Sequence, residues 1–298
     1  MKKTCIGLLG ISGNYRKLNL KETHKALLFA LKNFELVDIS TDYGLDFKLI
    51  NLIKDIDLTN IDSKLIYKVG CNCSDGYKAE DLVFETHQDL NKIGLNKIQS
   101  ILFHRPSIGK LESDIKYFNS ISRRYKNIRF GLCTNSPNIY KKYKENIRIE
   151  VVQLALNPLD YFANKEFMAI LKKDKVSIQA RSILSSGLLT GKYNQKSIFK
   201  DLLRSKFNLY KNKRKYLKRI NVSLEIIDHL KEKYNISKKD VPIFLYSLFE
   251  DLEEINYVVR GGSSIRQLAM NKESIKIEKK HKDEFLELMQ TKWACEYV

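Results

Sequence analysis

From about residue 20 the chain alternates between stretches with apolar residues at helical spacing and short runs that are apolar on both faces. That rhythm, more than any other feature, limits what it can fold into. The 22–33 segment puts Ala26, Leu27, Ala30 and Leu31 on one helical face, and the run 36–40, Leu-Val-Asp-Ile-Ser, follows at once. The same reading gives helices over 47–54, 79–93, 115–125, 139–146 and 167–173. Between them it gives strands over 65–69, 100–104, 128–133, 150–156 and 176–180. A strand near Cys5 to Ile11 opens the series. After residue 180 the rhythm stretches into long helices through 224–234 and 243–252, a last strand at 257–259 and a closing helix.

Strands apolar on both faces belong in a parallel sheet covered by helices. About eight strand and helix units in 298 residues point to a (β/α)8 TIM barrel spanning 1–298 as one domain. An extended segment is expected at about 193–220 after strand 7, and a C-terminal helix and tail at about 275–298. An open doubly wound sheet that binds a dinucleotide would carry G-x-G-x-x-G after its first strand, whereas Gly7, Gly10 and Gly13 are spaced differently. A composition of 43% hydrophobic and 30% charged residues suits a folded core and excludes a disordered chain. No stretch approaches the ~18 apolar residues of a membrane span. The start, Met1-Lys2-Lys3 and a short apolar run, lacks a small-residue cleavage site and reads as a first strand, with the cytoplasm as the expected location.

The 53 Lys and Arg against 35 Asp and Glu leave a net charge of +18, a surplus that attracts polyanions or phosphorylated ligands. Most of it is dispersed lysine. The one dense run, 211–219, has no recognition module around it, so we expect a solvated helix start rather than a nucleic-acid site. Five cysteines without a regular framework fit a reducing compartment, and Cys71-Asn72-Cys73 has no second pair at zinc spacing, so no metal is expected.

In a barrel the site lies at the C-terminal ends of the strands. Asp38 sits near the end of strand 2, with Tyr43 in the loop that follows; Lys68 interrupts strand 3 near its end, and His104 closes strand 4. Three adjacent strands thus aim four functional groups at one point. Each alone has a structural reading: Asp38 as a loop-bonding carboxylate, Tyr43 as a lid aromatic, His104 as a hydrogen-bonded core histidine. Lys68 resists that treatment. A lysine inside a buried strand needs a carboxylate, and Asp38 on the neighbouring strand is placed to supply it. An ammonium beside a phenol stabilises tyrosinate and lowers the tyrosine pKa from ~10. The set suits reduction of an aldehyde or ketone, hydride arriving at carbon while the tuned phenol protonates oxygen and His104 hydrogen-bonds the carbonyl.

These residues resemble the catalytic segments of the aldo-keto reductase family: Val37-Asp38-Ile39-Ser40-Thr41-Asp42-Tyr43-Gly44, Ile66-Tyr67-Lys68-Val69-Gly70 and Leu102-Phe103-His104-Arg105-Pro106. Four further stretches are similar to family segments in family order. They are Gly131-Leu132-Cys133-Thr134-Asn135, Val152-Gln153-Leu154-Ala155-Leu156-Asn157, Ser185-Ser186-Gly187-Leu188-Leu189-Thr190-Gly191-Lys192-Tyr193, and Gly261-Gly262-Ser263-Ser264-Ile265-Arg266-Gln267-Leu268 ending at Asn271. The resemblance covers about residues 4 to 272. It implies a small-molecule carbonyl substrate and NADPH, or NADH, bound across the barrel mouth without a Rossmann domain. It further implies that Thr134, Asn135 and Gln153 hold the nicotinamide carboxamide, that Ser185 and Lys192 approach the pyrophosphate, and that Ser263, Gln267 and Asn271 meet the adenosine end. The structural alternatives are a backbone-bonded Gln153, a surface Lys192, and Gln267 with Asn271 as an exposed helical pair.

Two positions depart from the family pattern. Arg181 stands where many members have a tyrosine that stacks on the nicotinamide, which implies altered redox preference or an acidic substrate. Gln267 stands where many have a basic residue for the 2′-phosphate, leaving Arg204, Lys206 and Arg266 as nearby candidates. Arg105, Arg181 and the general basicity point to a phosphorylated or nucleotide-linked sugar carbonyl. The only tryptophan, Trp293, either belongs to a substrate loop or pins the last helix. The alternative to an enzyme is a non-catalytic protein that keeps the cofactor site as a redox-sensing partner module.

Overall fold

The computed structural model describes residues 4–17, 19–44, 48–70, 77–201 and 203–295, so the Cys71 and Cys73 pair lies outside the described residues. Eight parallel strands close into a barrel in sequence order: β1 Thr4–Gly7, β2 Leu36–Ser40, β3 Lys64–Val69, β4 Ile98–His104, β5 Arg129–Cys133, β6 Val151–Ala155, β7 Ser177–Arg181 and β8 Tyr257–Gly261. Between them run α1 Leu20–Asn33, α2 Leu49–Lys54, α3 Ala79–Ile93, α4 Leu111–Arg124, α5 Pro137–Lys144 and α6 Lys165–Lys173. Two helices, α7 Tyr210–Tyr234 and α8 Val241–Glu250, separate β7 from β8, and α9 Ile265–Met270 and α10 Lys279–Thr291 follow.

Strands β2 and β6 are buried along their whole length, as a strand must be when one face fills the barrel and the other meets helices. The barrel interior is a small apolar plug of Cys5, Leu36, Ile66, Leu102, Cys133, Val151 and Val259. Gly131 is required within it, because a Cβ there would fall 2.2 Å from the Val151 carbonyl oxygen. The larger core lies between sheet and helices, where Leu27, Ala30 and Leu31 of α1 pack with residues such as Ile6, Val37 and Ile39. Helix α1 starts two residues earlier than its apolar spacing suggests. Asn19 accepts from the Glu22 backbone N–H at 2.8 Å and the Glu22 side chain accepts from the Asn19 N–H at 3.4 Å, a reciprocal cap that extends the first turn.

The first strand is shorter than expected: it ends at Gly7, and Leu8–Ile11 form a 3-10 turn. The basic run does not precede the long helix but lies within the 25 residues of α7. Its residues 213–215 are exposed, as expected of a solvated face, yet Tyr216 and Arg219 are buried. The reason is helical periodicity, which turns every third or fourth residue of even a basic segment inward. Trp293 is buried beyond α10, its ring 4.9 Å from that of Phe285 on α10 and 5.2 Å from that of His229 on α7. It therefore pins the last helix. Among the described residues no helix is long and apolar enough to cross a membrane.

Candidate active site

Strands β2, β3 and β4 are neighbours in the barrel. Ser40 is in register with Lys68, and Lys68 with Leu102 of the inner plug, so Lys68 points into the barrel near the carboxyl end of β3. Its side chain is 2% exposed, a burial that would cost several kcal/mol for the charged amine without a partner. The partner is Asp38, equally buried: Lys68 Nζ donates to Asp38 Oδ1 at 2.5 Å. The same Nζ donates to the Tyr43 hydroxyl at 2.8 Å. A turn places Tyr43 there, its N–H donating to the Ser40 carbonyl at 3.0 Å and its own carbonyl accepting from Leu49 N–H at 2.8 Å.

His104 ends β4 with its ring edge-on to Tyr43, centroids 6.0 Å apart. Its Nδ1 shares a 3.0 Å hydrogen bond with Ser40 Oγ, which leaves Nε2 as the nitrogen available to a bound oxygen. All four expected residues are thus brought together.

Burial is the strongest single influence on the proton affinities of Tyr43, Lys68 and His104. It pushes Tyr43 up, and although Lys68 pulls the other way the balance stands at about 12. The expected lowering of the phenol below its ordinary value is therefore not what the structure gives, because desolvation of a phenolate outweighs one ammonium that already shares its charge with Asp38. For Lys68 burial works downward, but the Asp38 carboxylate prevails and holds the amine firmly protonated. Burial also pushes His104 down to about 2, reinforced by Lys68, Arg181, Arg105 and Lys110, so the imidazole is neutral.

Beneath the cluster lies a polar layer. Gln153 is fully buried; its Nε2 donates to Asp38 Oδ2 at 2.8 Å and to Gln179 Oε1 at 3.1 Å, and its Oε1 accepts from Cys133 Sγ at 3.3 Å. Asn135 bridges β5 to β6, donating to Ala155 O at 2.9 Å and to Asn164 Oδ1 at 2.7 Å while accepting from Ala155 N–H at 2.9 Å. Thr134 is buried and accepts from Ser136 N–H at 3.1 Å. Ser185, in the left-handed region with φ 47°, accepts from Arg219 Nη2 at 2.9 Å. Lys192 is exposed. Ser263 and Gln267 sit together, the Gln267 Oε1 accepting from Ser263 N–H at 2.8 Å and from its hydroxyl at 3.0 Å, and buried Asn271 donates to Gly261 O at 3.1 Å. Of the candidates for a 2′-phosphate, Arg204 is paired with Asp201 at 2.8 Å and packed over Tyr15, Tyr193 and Phe199, while Arg266 is exposed.

Sequence reasoning missed several of these contacts. Ser40 and Gln179 could have been found by period-two counting from Asp38 and Arg181, since each shares a strand face with a site residue. Lys110 carries no such signal: it is buried in the turn before α4 and donates to the carbonyls of Gly70 at 2.9 Å and Arg105 at 3.2 Å, the chain segments that follow Lys68 and His104. Arg219 was hidden in a basic run, yet it forks onto Asp160 with bonds of 2.7 and 2.8 Å.

A closed barrel with a buried lysine joining a carboxylate to a phenol at its carboxyl-terminal mouth defines a class of enzyme that handles a proton beside a small-molecule ligand. The sequence matches the model of the aldo/keto reductase family over residues 3–292. The chain belongs to that family, a class of NAD(P)H-dependent oxidoreductases that act on small-molecule carbonyl compounds. No curated protein matches it. Among solved structures it is similar to the glycerol dehydrogenase AKR11B4 from Gluconobacter oxydans, with a TM-score of 0.72 and 19% identity over 99% of this chain and 93% of that one. It is also similar to the aldo-keto reductase AKR11C1 from Bacillus halodurans in its holo form, with a TM-score of 0.66 and 16% identity over the same shares. At such identities the likeness is one of fold.

Proposed function

We propose that the protein reduces an aldehyde or ketone, sugar carbonyls among them, with NADPH as the donor and NADH as the alternative. The observation that carries this reading is the Lys68 ammonium donating at once to Asp38 and to Tyr43 in a buried setting.

The residues present fit a nicotinamide cofactor. Gly7 of β1 and Gly261 of β8 are in register at the end of the barrel, and a Cβ built on Gly261 meets nothing within 4 Å, so the backbone at the end of β8 is open to a ligand. Thr134 and Asn135 on the β5 side would hold the carboxamide, with Gln153 below them. Arg181 ends β7 beside the nicotinamide position, Ser185 and Lys192 follow it on the pyrophosphate side, and Ser263, Gln267 and Asn271 follow β8 on the adenosine side. Bound there, the cofactor supplies a hydride.

The chain's own residues do the rest. His104, neutral, donates from Nε2 to the carbonyl oxygen and polarises it. Tyr43, protonated at neutral pH, gives its proton to that oxygen as the carbon is reduced, leaving a phenolate that Lys68 stabilises at 2.8 Å. Asp38 keeps Lys68 charged and oriented. Reprotonation of Tyr43 from solvent restores the site.

Mixing the protein with NADPH and a panel of aldehydes tests the reading by the loss of nicotinamide fluorescence. Turnover of one or more aldehydes is expected. Tight NADPH binding with none turned over would favour the redox-sensing alternative instead.

A further inference from the structure

The mouth holds more positive charge than proton transfer uses. Arg181 ends β7 on the strand face of Gln179, whose side chain reaches into the barrel to bond Gln153, so Arg181 stands at the mouth two residues above it. It is only partly exposed. Its guanidinium donates to the hydroxyl of the adjacent Ser182 at 3.3 Å, and no carboxylate among the described residues lies within ion-pair distance. Arg105, next to His104, is exposed, sits in the left-handed region at φ 56°, and likewise has no ion pair among the described residues. Lys110 spends its donors on the carbonyls of Gly70 and Arg105. Arg181, Arg105 and Lys110 join Lys68 in disfavouring a charged His104.

A guanidinium at the mouth with no carboxylate is open to a ligand, and its planar fork matches the two oxygens of a phosphate or carboxylate. The cofactor ring does not complete it, since that ring gains positive charge on oxidation. Resting on the proposed reductase activity, we infer that Arg181, supported by Arg105, receives an acid group, phosphate or carboxylate, carried by the carbonyl substrate. The acid also offsets the repulsion between Arg181 and the oxidised ring, which would otherwise disfavour the product state.

The test compares kcat/KM within matched pairs: glyceraldehyde 3-phosphate against glyceraldehyde, and succinic semialdehyde against butanal, with NADPH. In one pair or both the acid member should be preferred by about 10- to 100-fold, and the pair that shows it distinguishes phosphate from carboxylate. Arg181→Leu should bring that ratio to within a few-fold of one, and Arg181→Lys should keep part of it. Because each ratio is taken on one protein sample, it does not depend on the fraction folded. A wild-type ratio near one in both pairs overturns the inference, and so does a preference that survives in Arg181→Leu. Parallel losses on both members with weakened NADPH binding would place Arg181 on the cofactor and overturn it as well. Turnover of no member of either pair, with NADPH or NADH, would instead overturn the reductase reading.

Discussion

Gln153 on β6 reaches across the barrel to Asp38 on β2, its Nε2 2.8 Å from Oδ2 while Lys68 holds Oδ1 at 2.5 Å. Both carboxylate oxygens are thereby fixed, one by a charge and one by an amide, and Asp38 has little freedom to turn away from Lys68.

Gln153→Leu should leave one oxygen of a buried carboxylate without a donor. We expect a loss of about 1–3 kcal/mol in stability, measured by urea unfolding, together with a fall in kcat as Lys68 loses its fixed partner. A change confined to NADPH affinity, with kcat and stability intact, would instead assign Gln153 to the carboxamide alone.

The two perturbed pKa values set the shape of the pH profile. Tyr43 must be protonated to act, and at about 12 it stays so well into the alkaline range. His104 must be neutral, and at about 2 it is neutral throughout. Reductive kcat should therefore be level from about pH 6 to about pH 9. An acid limb near the ordinary histidine value, about 6.5, would show that His104 takes up a proton and would exclude it as the neutral donor to the carbonyl oxygen.

The fork between Arg219 and Asp160 ties α7 to the chain after β6 and to Ser185 after β7. Arg219→Met would strand a carboxylate that is 2% exposed. A loss of about 3–5 kcal/mol is expected, read as a lower thermal midpoint, and Asp160→Leu in the same chain should restore part of it. A midpoint unchanged in Arg219→Met would mean that the pair contributes no net stability.

How much of this was legible follows from which signals are local. The barrel was readable because both its periods, two and 3.6, are written in consecutive residues; α3 over Ala79–Ile93 coincides with its apolar spacing, and other boundaries moved by a few residues where caps intervened. The pairing of Lys68 with Asp38 was readable because a buried ammonium demands a carboxylate and adjacent strands offered one. The raised affinity of Tyr43 was not, since desolvation depends on everything packed around the ring. Nor were Lys110 and Arg219, whose partners are a pair of loop carbonyls and a carboxylate 59 residues away.

Whether Tyr43 delivers the proton is the claim on which the mechanism stands. Single-turnover oxidation of bound NADPH by an aldehyde, followed in Tyr43→Phe beside the wild type, measures it most directly. The rate should fall by about 10²- to 10⁴-fold with NADPH binding retained. A Tyr43→Phe protein that oxidises NADPH at the wild-type rate would contradict it.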